Sequence, residues 1–229
     1  MVTMKHIFTS FLLPFFLLAS CASPSPVPAG VTLRVQYTAS AAPWLADLSG
    51  CADQTGVVLQ ADPRLAGSLD LTTADLAIRL GDSNIASQAY QVGTDELLVI
   101  VNRQNPTGPL SATRVRALFT GQVRDWKEIN ATDSPVQVWA FPSSEDVEQA
   151  FESITLAGSP VTPAARLATT PDEMSQAIAN NANAIGFLPR RWKMGNVSEV
   201  FIAATLPALI LIPSAPQDAV GALIACIQK

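Results

Sequence analysis

Five consecutive apolar residues, Leu97 to Val101 (LLVIV), constrain the fold of this chain more than any other stretch. An uninterrupted apolar run rich in β-branched residues fits a strand covered on both faces, and such strands occur in sheets with helices on each side. Asn105-Pro106 stops the run, since Pro brings no amide to a sheet and disfavours helix at the residue before it. A helix then follows. Ser111 stands where an N-cap belongs, and Val115, Leu118 and Phe119 fall at i, i+3 and i+4 on one face. Gly121 is placed as the left-handed residue that ends the helix, and Trp126 lies just beyond.

The rest of the chain alternates in the same way. Strand patterns occur at Val31 to Tyr37, Val57 to Gln60, Asp75 to Arg79, Glu96 to Val101, Val136 to Ala140 and Ala184 to Leu188, with two shorter ones at Val200 to Ala203 and Ala208 to Leu211. A helix is expected from about Trp44 to Thr55. Another is opened by Pro142-Ser143-Ser144-Glu145-Asp146, with Val147, Ala150, Phe151 and Ile154 as its apolar face. Thr170-Pro171-Asp172-Glu173 is a capping box with Pro at the first helical position, and Ser214 to Gln217 is a second capping box before Val220, Leu223, Ile224 and Ile227. Strands alternating with helices predict an α/β fold with a mostly parallel sheet.

Lys5 and His6 precede an apolar stretch, Ile7 to Ala19, too short to span a bilayer, which closes on Leu18-Ala19-Ser20-Cys21. This reads as a secretory signal peptide over residues 1–20, and its ending is similar to a bacterial lipobox. Cys21 would then be the lipidated first residue of an extracytoplasmic protein held to the membrane by its acyl anchor only. Residues 21–30, Pro- and Ser-rich, would be a flexible tether. His6 is the single histidine and leaves with the leader, which excludes His-based triads, His general bases and His-ligated metals. None of Lys127, Lys193 and Lys229 sits in a nucleophile motif, so neither catalysis, a cofactor nor a metal is expected.

Loss of Lys5 takes the formal net charge of −5 one unit further negative, and no basic block interrupts it. Such a chain is a poor nucleic-acid binder and does not adhere electrostatically to anionic lipid. Cys51 and Cys226 remain in an oxidising compartment, where a pair forms a disulfide more often than a metal site; two buried thiols are the alternative.

The order of apolar strand, Asn-Pro, helix, Phe119-Thr120-Gly121 and Trp126 resembles the central segment of periplasmic phosphate-binding proteins and their short relatives among type II solute-binding proteins. The resemblance covers Glu96 to Asn130 well, Val136 to Pro189 moderately, and earlier residues weakly. It implies two lobes, each a mostly parallel sheet flanked by helices, joined by two crossover hinges near Leu97 to Asn102 and Gly186 to Arg190. Lobe 1 would be residues 31–97 plus 190–229 and lobe 2 residues 98–189, with a Cys51–Cys226 bridge inside lobe 1. The implied function is capture, by a monomer, of a small oxyanion, phosphate in that family, for delivery to an ABC permease.

Three loops would hold the ligand, since open α/β sheets bind at strand carboxyl ends beside helix N-termini. Thr38-Ala39-Ser40 keeps the hydroxyls that the family directs at an oxyanion, or is a plain helix cap. Arg79 would pair with an oxyanion, or with Asp82 at the surface. Ser143-Ser144-Glu145-Asp146 occupies the place of the family's Ser-Gly-Thr turn, and there the chain departs from the pattern. It lacks the Gly, and Glu145 and Asp146 bring negative charge to a helix start, where a carboxylate satisfies the dipole and repels an anion. One Asp can still accept a hydrogen bond from a protonated phosphate; with Ser143 as N-cap, Asp146 would instead stand at N3. The departure keeps an alternative in view: a sensor or interaction lipoprotein on a binding-protein fold, with a different or lost ligand. Arg190, Arg191 and Lys193 form a basic cluster that either steers anions or is a solvated surface.

Overall fold

A computed structural model of the chain describes residues 30–82 and 87–229; the leader, Cys21 and the tether up to residue 29 lie outside them. The strands are β1 (Thr32–Tyr37), β2 (Val58–Pro63), β3 (Leu76–Leu80), β4 (Gln88–Asn102), β5 (Gln137–Ala140), β6 (Arg166–Leu167), β7 (Ala184–Pro189) and β8 (Val197–Ile212). The helices are α1 (Ala42–Thr55), α2 (Ala112–Phe119), α3 (Asp146–Ala150), α4 (Pro171–Ala179) and α5 (Asp218–Ile227). All eight strands form one sheet in the order β2-β1-β3-β8-β4-β7-β5-β6. Its two ends are parallel, as expected for strands joined through helices, while β8 runs antiparallel to β3 and β4, and β4 antiparallel to β7.

The antiparallel centre comes from β4 and β8, which pair from Gln88 opposite Ile212 to Asn102 opposite Val197. Leu97 to Val101 is wholly buried, with β7 on one side and β8 on the other. β4 is longer than the apolar run because its first half, from Gln88, is half-exposed and polar, so hydrophobicity alone does not mark it. β8 is a single strand where two were expected, carrying Pro207 opposite Thr94. Pro207 still serves the sheet as an acceptor, its carbonyl taking the Gly81 amide at 2.9 Å. The first half of β8 lies beside Leu97 to Asn102.

Local capping reads as expected at two helices. The Ser111 hydroxyl accepts from the Arg114 amide, Thr170 accepts from the Glu173 amide, and Gly121 ends α2 at φ 75°. Two other starts differ. Glu145, not Ser143, stands at the N-cap of α3, so Asp146 is the first helical residue rather than N3. Gln217 precedes α5 without a side-chain cap bond.

α3 also passes directly into a π-helical turn, Phe151–Thr155. The wider turn keeps Phe151, Thr155 and Leu156 inside but rotates Ile154 out of the expected apolar face, leaving it 54% exposed. Phe151 sets that register by stacking on Phe187 at 3.9 Å between ring centres, with the Phe119 ring edge-on at 4.7 Å. On the lobe 1 face, Trp44 of α1 lies so close to β4 that a Cβ at Gly93 would fall 2.2 Å from the indole. Cys51 of α1 and Cys226 of α5 form a disulfide, with Cα atoms 5.9 Å apart.

Candidate functional site

Thr38 follows β1, and its amide is held by the Ile78 carbonyl of β3 at 3.1 Å. A short 3-10 turn, Ala39–Ala41, then leads into α1 and carries Ser40 inward. Leu80 ends β3. From more than sixty residues further along the chain, the start of α3 delivers Asp146 to this corner, 1% exposed. Its Oδ2 accepts from the Thr38 hydroxyl at 2.7 Å and the Leu80 amide at 2.9 Å. Its Oδ1 accepts from the Ser40 hydroxyl at 2.5 Å and from the Val147 amide at 2.8 Å.

Two donors on each oxygen satisfy a carboxylate, which carries about four acceptor positions in all. Burial of a charge is tolerable only with such saturation. The corner is therefore an oxyanion cradle, and the chain's own carboxylate lies in it. Asp146, expected to repel a ligand, is itself the acceptor for these four donors.

The other expected ligand residues are dispersed. Ala39 is half-buried and gives its carbonyl to the Ala42 amide. Ser143 is exposed and Ser144 half-buried; their carbonyls take Gln149 Nε2 at 3.2 Å and the Gly67 amide at 3.3 Å, and neither hydroxyl enters the cradle. Arg79 is not a surface residue. It is 3% exposed, and its Nε reaches the Leu80 carbonyl at 3.4 Å. Among the described residues no ion pair within 4 Å involves it, although the Asp146 and Asp82 charges act on it. Burial holds the Arg79 pKa below its ordinary value, against the opposing charges of Asp146 and Asp82. Arg79, Asp82 and Asp146 border one cavity of about 500 Å³.

Glu145 and Glu148 are each 3% exposed. Burial, and for Glu145 the neighbouring Asp146 charge, pushes the Glu145 carboxyl up to about 7. Burial and then Glu152 raise Glu148 to about 7, although the Phe141 amide donates to it at 2.7 Å and pulls the other way. Both acids hold a proton more readily in the fold than in the unfolded chain. Their contribution to stability is thus fully present below about pH 4.5 and is lost as pH rises through about 7. Urea unfolding between pH 5 and 8 should show this decline, and Glu148→Gln should flatten it; an unchanged slope in that variant would assign the effect elsewhere.

The Leu80 amide escaped the sequence reading. The Trp192 indole donates to the Ser40 carbonyl at 3.0 Å. Arg191, expected in the basic cluster, stacks 3.8 Å over Trp44 and bonds to Asp47 at 2.6 Å. With Arg190 paired to Glu96 and Glu199, and Lys193 to Glu199, the basic cluster is occupied by acids.

No protein-family model matches the chain. A stretch of 64 residues is 30% identical to the phosphate-binding protein PstS 2 of Streptococcus agalactiae, covering 28% of this chain and 22% of that protein. The chain thus spans about a fifth of that curated relative. A Clostridium perfringens protein described as a phosphate ABC transporter substrate-binding protein, solved with bound phosphate, superposes with TM-score 0.78 at 17% identity, over 86% of this chain and 92% of its own. The reduced regulatory domain of OxyR2 from Vibrio vulnificus superposes with TM-score 0.65 at 15% identity, over 87% and 95%. The chain has the two-lobed fold of type II periplasmic binding proteins.

Proposed function

We propose that this chain is an extracytoplasmic solute-binding protein, anchored through lipidated Cys21, that captures a small oxyanion between its lobes for an ABC permease. Phosphate is the ligand that family resemblance suggests. It would act as a monomer and perform no chemistry. The observation that carries this reading is the cradle of Thr38, Ser40 and Leu80, which grips an anion supplied from the opposite lobe.

We place the hinges where β4 and β8 leave one lobe for the other, near Leu97 and near residues 205–207. Swinging the lobes apart there would draw Asp146 out of the cradle, because its helix belongs to the other lobe. A solute then competes with a tethered carboxylate whose effective concentration is of millimolar order. Calorimetry or thermal shift of the mature chain with phosphate, sulfate, molybdate and organic anions should show saturable stabilisation by one of them, about 2.7 kcal/mol at a hundredfold excess over Kd. Silence toward every oxyanion would sink this reading.

One observation favours a second reading, a sensor or interaction lipoprotein with a different or lost ligand: the internal carboxylate already saturates the cradle. The likeness to a regulatory domain supports it as well.

A further inference from the structure

We propose that Trp192 is the positioning residue of the oxyanion cradle, holding Ser40 so that the Ser40 and Thr38 hydroxyls converge on a single anion. This rests on the solute-capture reading and adds a residue to its site.

The cradle loop is short. Thr38 is fixed through its amide to the Ile78 carbonyl, whereas Ser40 lies beyond the end of β1, midway along the 3-10 turn of Ala39–Ala41. Its carbonyl takes the Trp192 indole N–H at 3.0 Å. An indole nitrogen is a donor only, so this bond holds the Ser40 peptide in one direction. The hydroxyl of the same residue lies 3.0 Å from Thr38 Oγ1 and 2.5 Å from Asp146 Oδ1, while the Thr38 hydroxyl reaches Oδ2 at 2.7 Å. Two hydroxyls so placed grip both oxygens of one carboxylate. Bonds of this kind to an ionised acceptor are strong when aligned and weaken steeply when the donor is misdirected.

Trp192 is itself held in place. It closes a second 3-10 turn, Arg190–Trp192, whose residues have three different anchors. Arg190 pairs with Glu96 of β4 and Glu199 of β8. Arg191 stacks on Trp44 of α1 and pairs with Asp47. Trp192 then reaches Ser40. The turn follows Pro189, which lies opposite Leu97 in the antiparallel centre of the sheet. The cradle loop is thereby tied to the two long central strands as well as to α1, and donors supported in this way are preorganised for their acceptor.

The test is a double-mutant cycle on phosphate affinity in the full chain carrying Asp146→Ala, whose cradle is open. Trp192→Phe keeps a ring and removes the N–H; it should weaken phosphate binding about tenfold, the worth of one hydrogen bond. With Ser40→Ala already in place, the same change should weaken it less than about twofold. Equal losses with and without the Ser40 hydroxyl, or no loss at all, would overturn the inference. Should the triple variant fail to fold, the cycle is read instead as the unfolding stability of Trp192→Phe, Ser40→Ala and their combination with Asp146 retained, since the internal carboxylate is then the anion gripped. Additive losses there would again overturn it. An Asp146→Ala chain indifferent to phosphate would remove the capture reading, and the stability cycle would then decide the role of Trp192.

Discussion

Replacing Asp146 by Ala should cost the fold about 3 kcal/mol, and millimolar phosphate or sulfate should return much of that loss. The carboxylate takes four hydrogen bonds, three of them from residues distant in sequence. Without it the Thr38 and Ser40 hydroxyls, 3.0 Å apart, can still bond to one another. The Leu80 and Val147 amides cannot, and each unsatisfied buried donor costs about 1–3 kcal/mol. For a domain near two hundred residues the loss corresponds to a melting point lower by roughly 6–12 °C.

Rescue is the sharper half of this expectation. An emptied cradle presents two hydroxyls and two amides to a free tetrahedral anion, so phosphate should stabilise the Ala variant more than the parent chain, whose own carboxylate competes for the same donors. Asp146→Asn should not be rescued, because its amide fills the same volume while turning one N–H toward a backbone donor. Thermal shifts of the three proteins with and without phosphate decide the matter. An Ala variant as stable as its parent, and indifferent to phosphate, would mean that the interlobe carboxylate contributes nothing in solution.

Removing the disulfide should have an effect of similar size. Cys51 and Cys226 are 175 residues apart, and closing so long a loop lowers the entropy of the unfolded chain by an amount worth up to about 5 kcal/mol. Engineered and native bridges commonly deliver about 2–4 kcal/mol, so a Cys51→Ser, Cys226→Ser double variant should melt about 10 °C below its parent. Reductant should bring the parent down to the variant and leave the variant unmoved. Coincident melting curves without reductant would show that α1 and α5 are held by packing alone.

What was legible in the sequence was local or strongly apolar. Leu97 to Val101 announces a buried strand, and Ser111 and Thr170 announce helix starts, because the physics lies within a few residues. The continuity of β8 was hidden by Pro207, whose missing amide normally argues against a central strand. The first half of β4 was hidden by its polar, half-exposed character. The π-turn was illegible because Phe187 and Phe119, distant in sequence, determine where Phe151 must point.

The site divides in the same way. Thr38, Ser40 and Asp146 are recognisable as polar loop residues, yet Thr38 and Asp146 meet across 108 positions of chain, and only the fold brings them together. The negative charge beside the expected ligand loop was legible as a conflict. The burial of Asp146 among hydroxyls and amides distant in sequence was not legible, because only the fold brings those donors to it. Leu80 contributes through its amide, a group common to nearly every residue, and no side-chain pattern can single it out. Arg79 was expected at a ligand or at the surface, and its burial excludes the surface position.

The Cys51–Cys226 bond also has a topological consequence. It closes residues 51 to 226 into a ring, and residues 98–189, the stretch expected to form lobe 2, lie inside that ring. A cut in any exposed loop of lobe 2 would open the ring without dividing the molecule. The piece bearing the amino terminus would keep its hold on everything downstream, and a nicked copy would remain one particle for as long as its surroundings stayed oxidising.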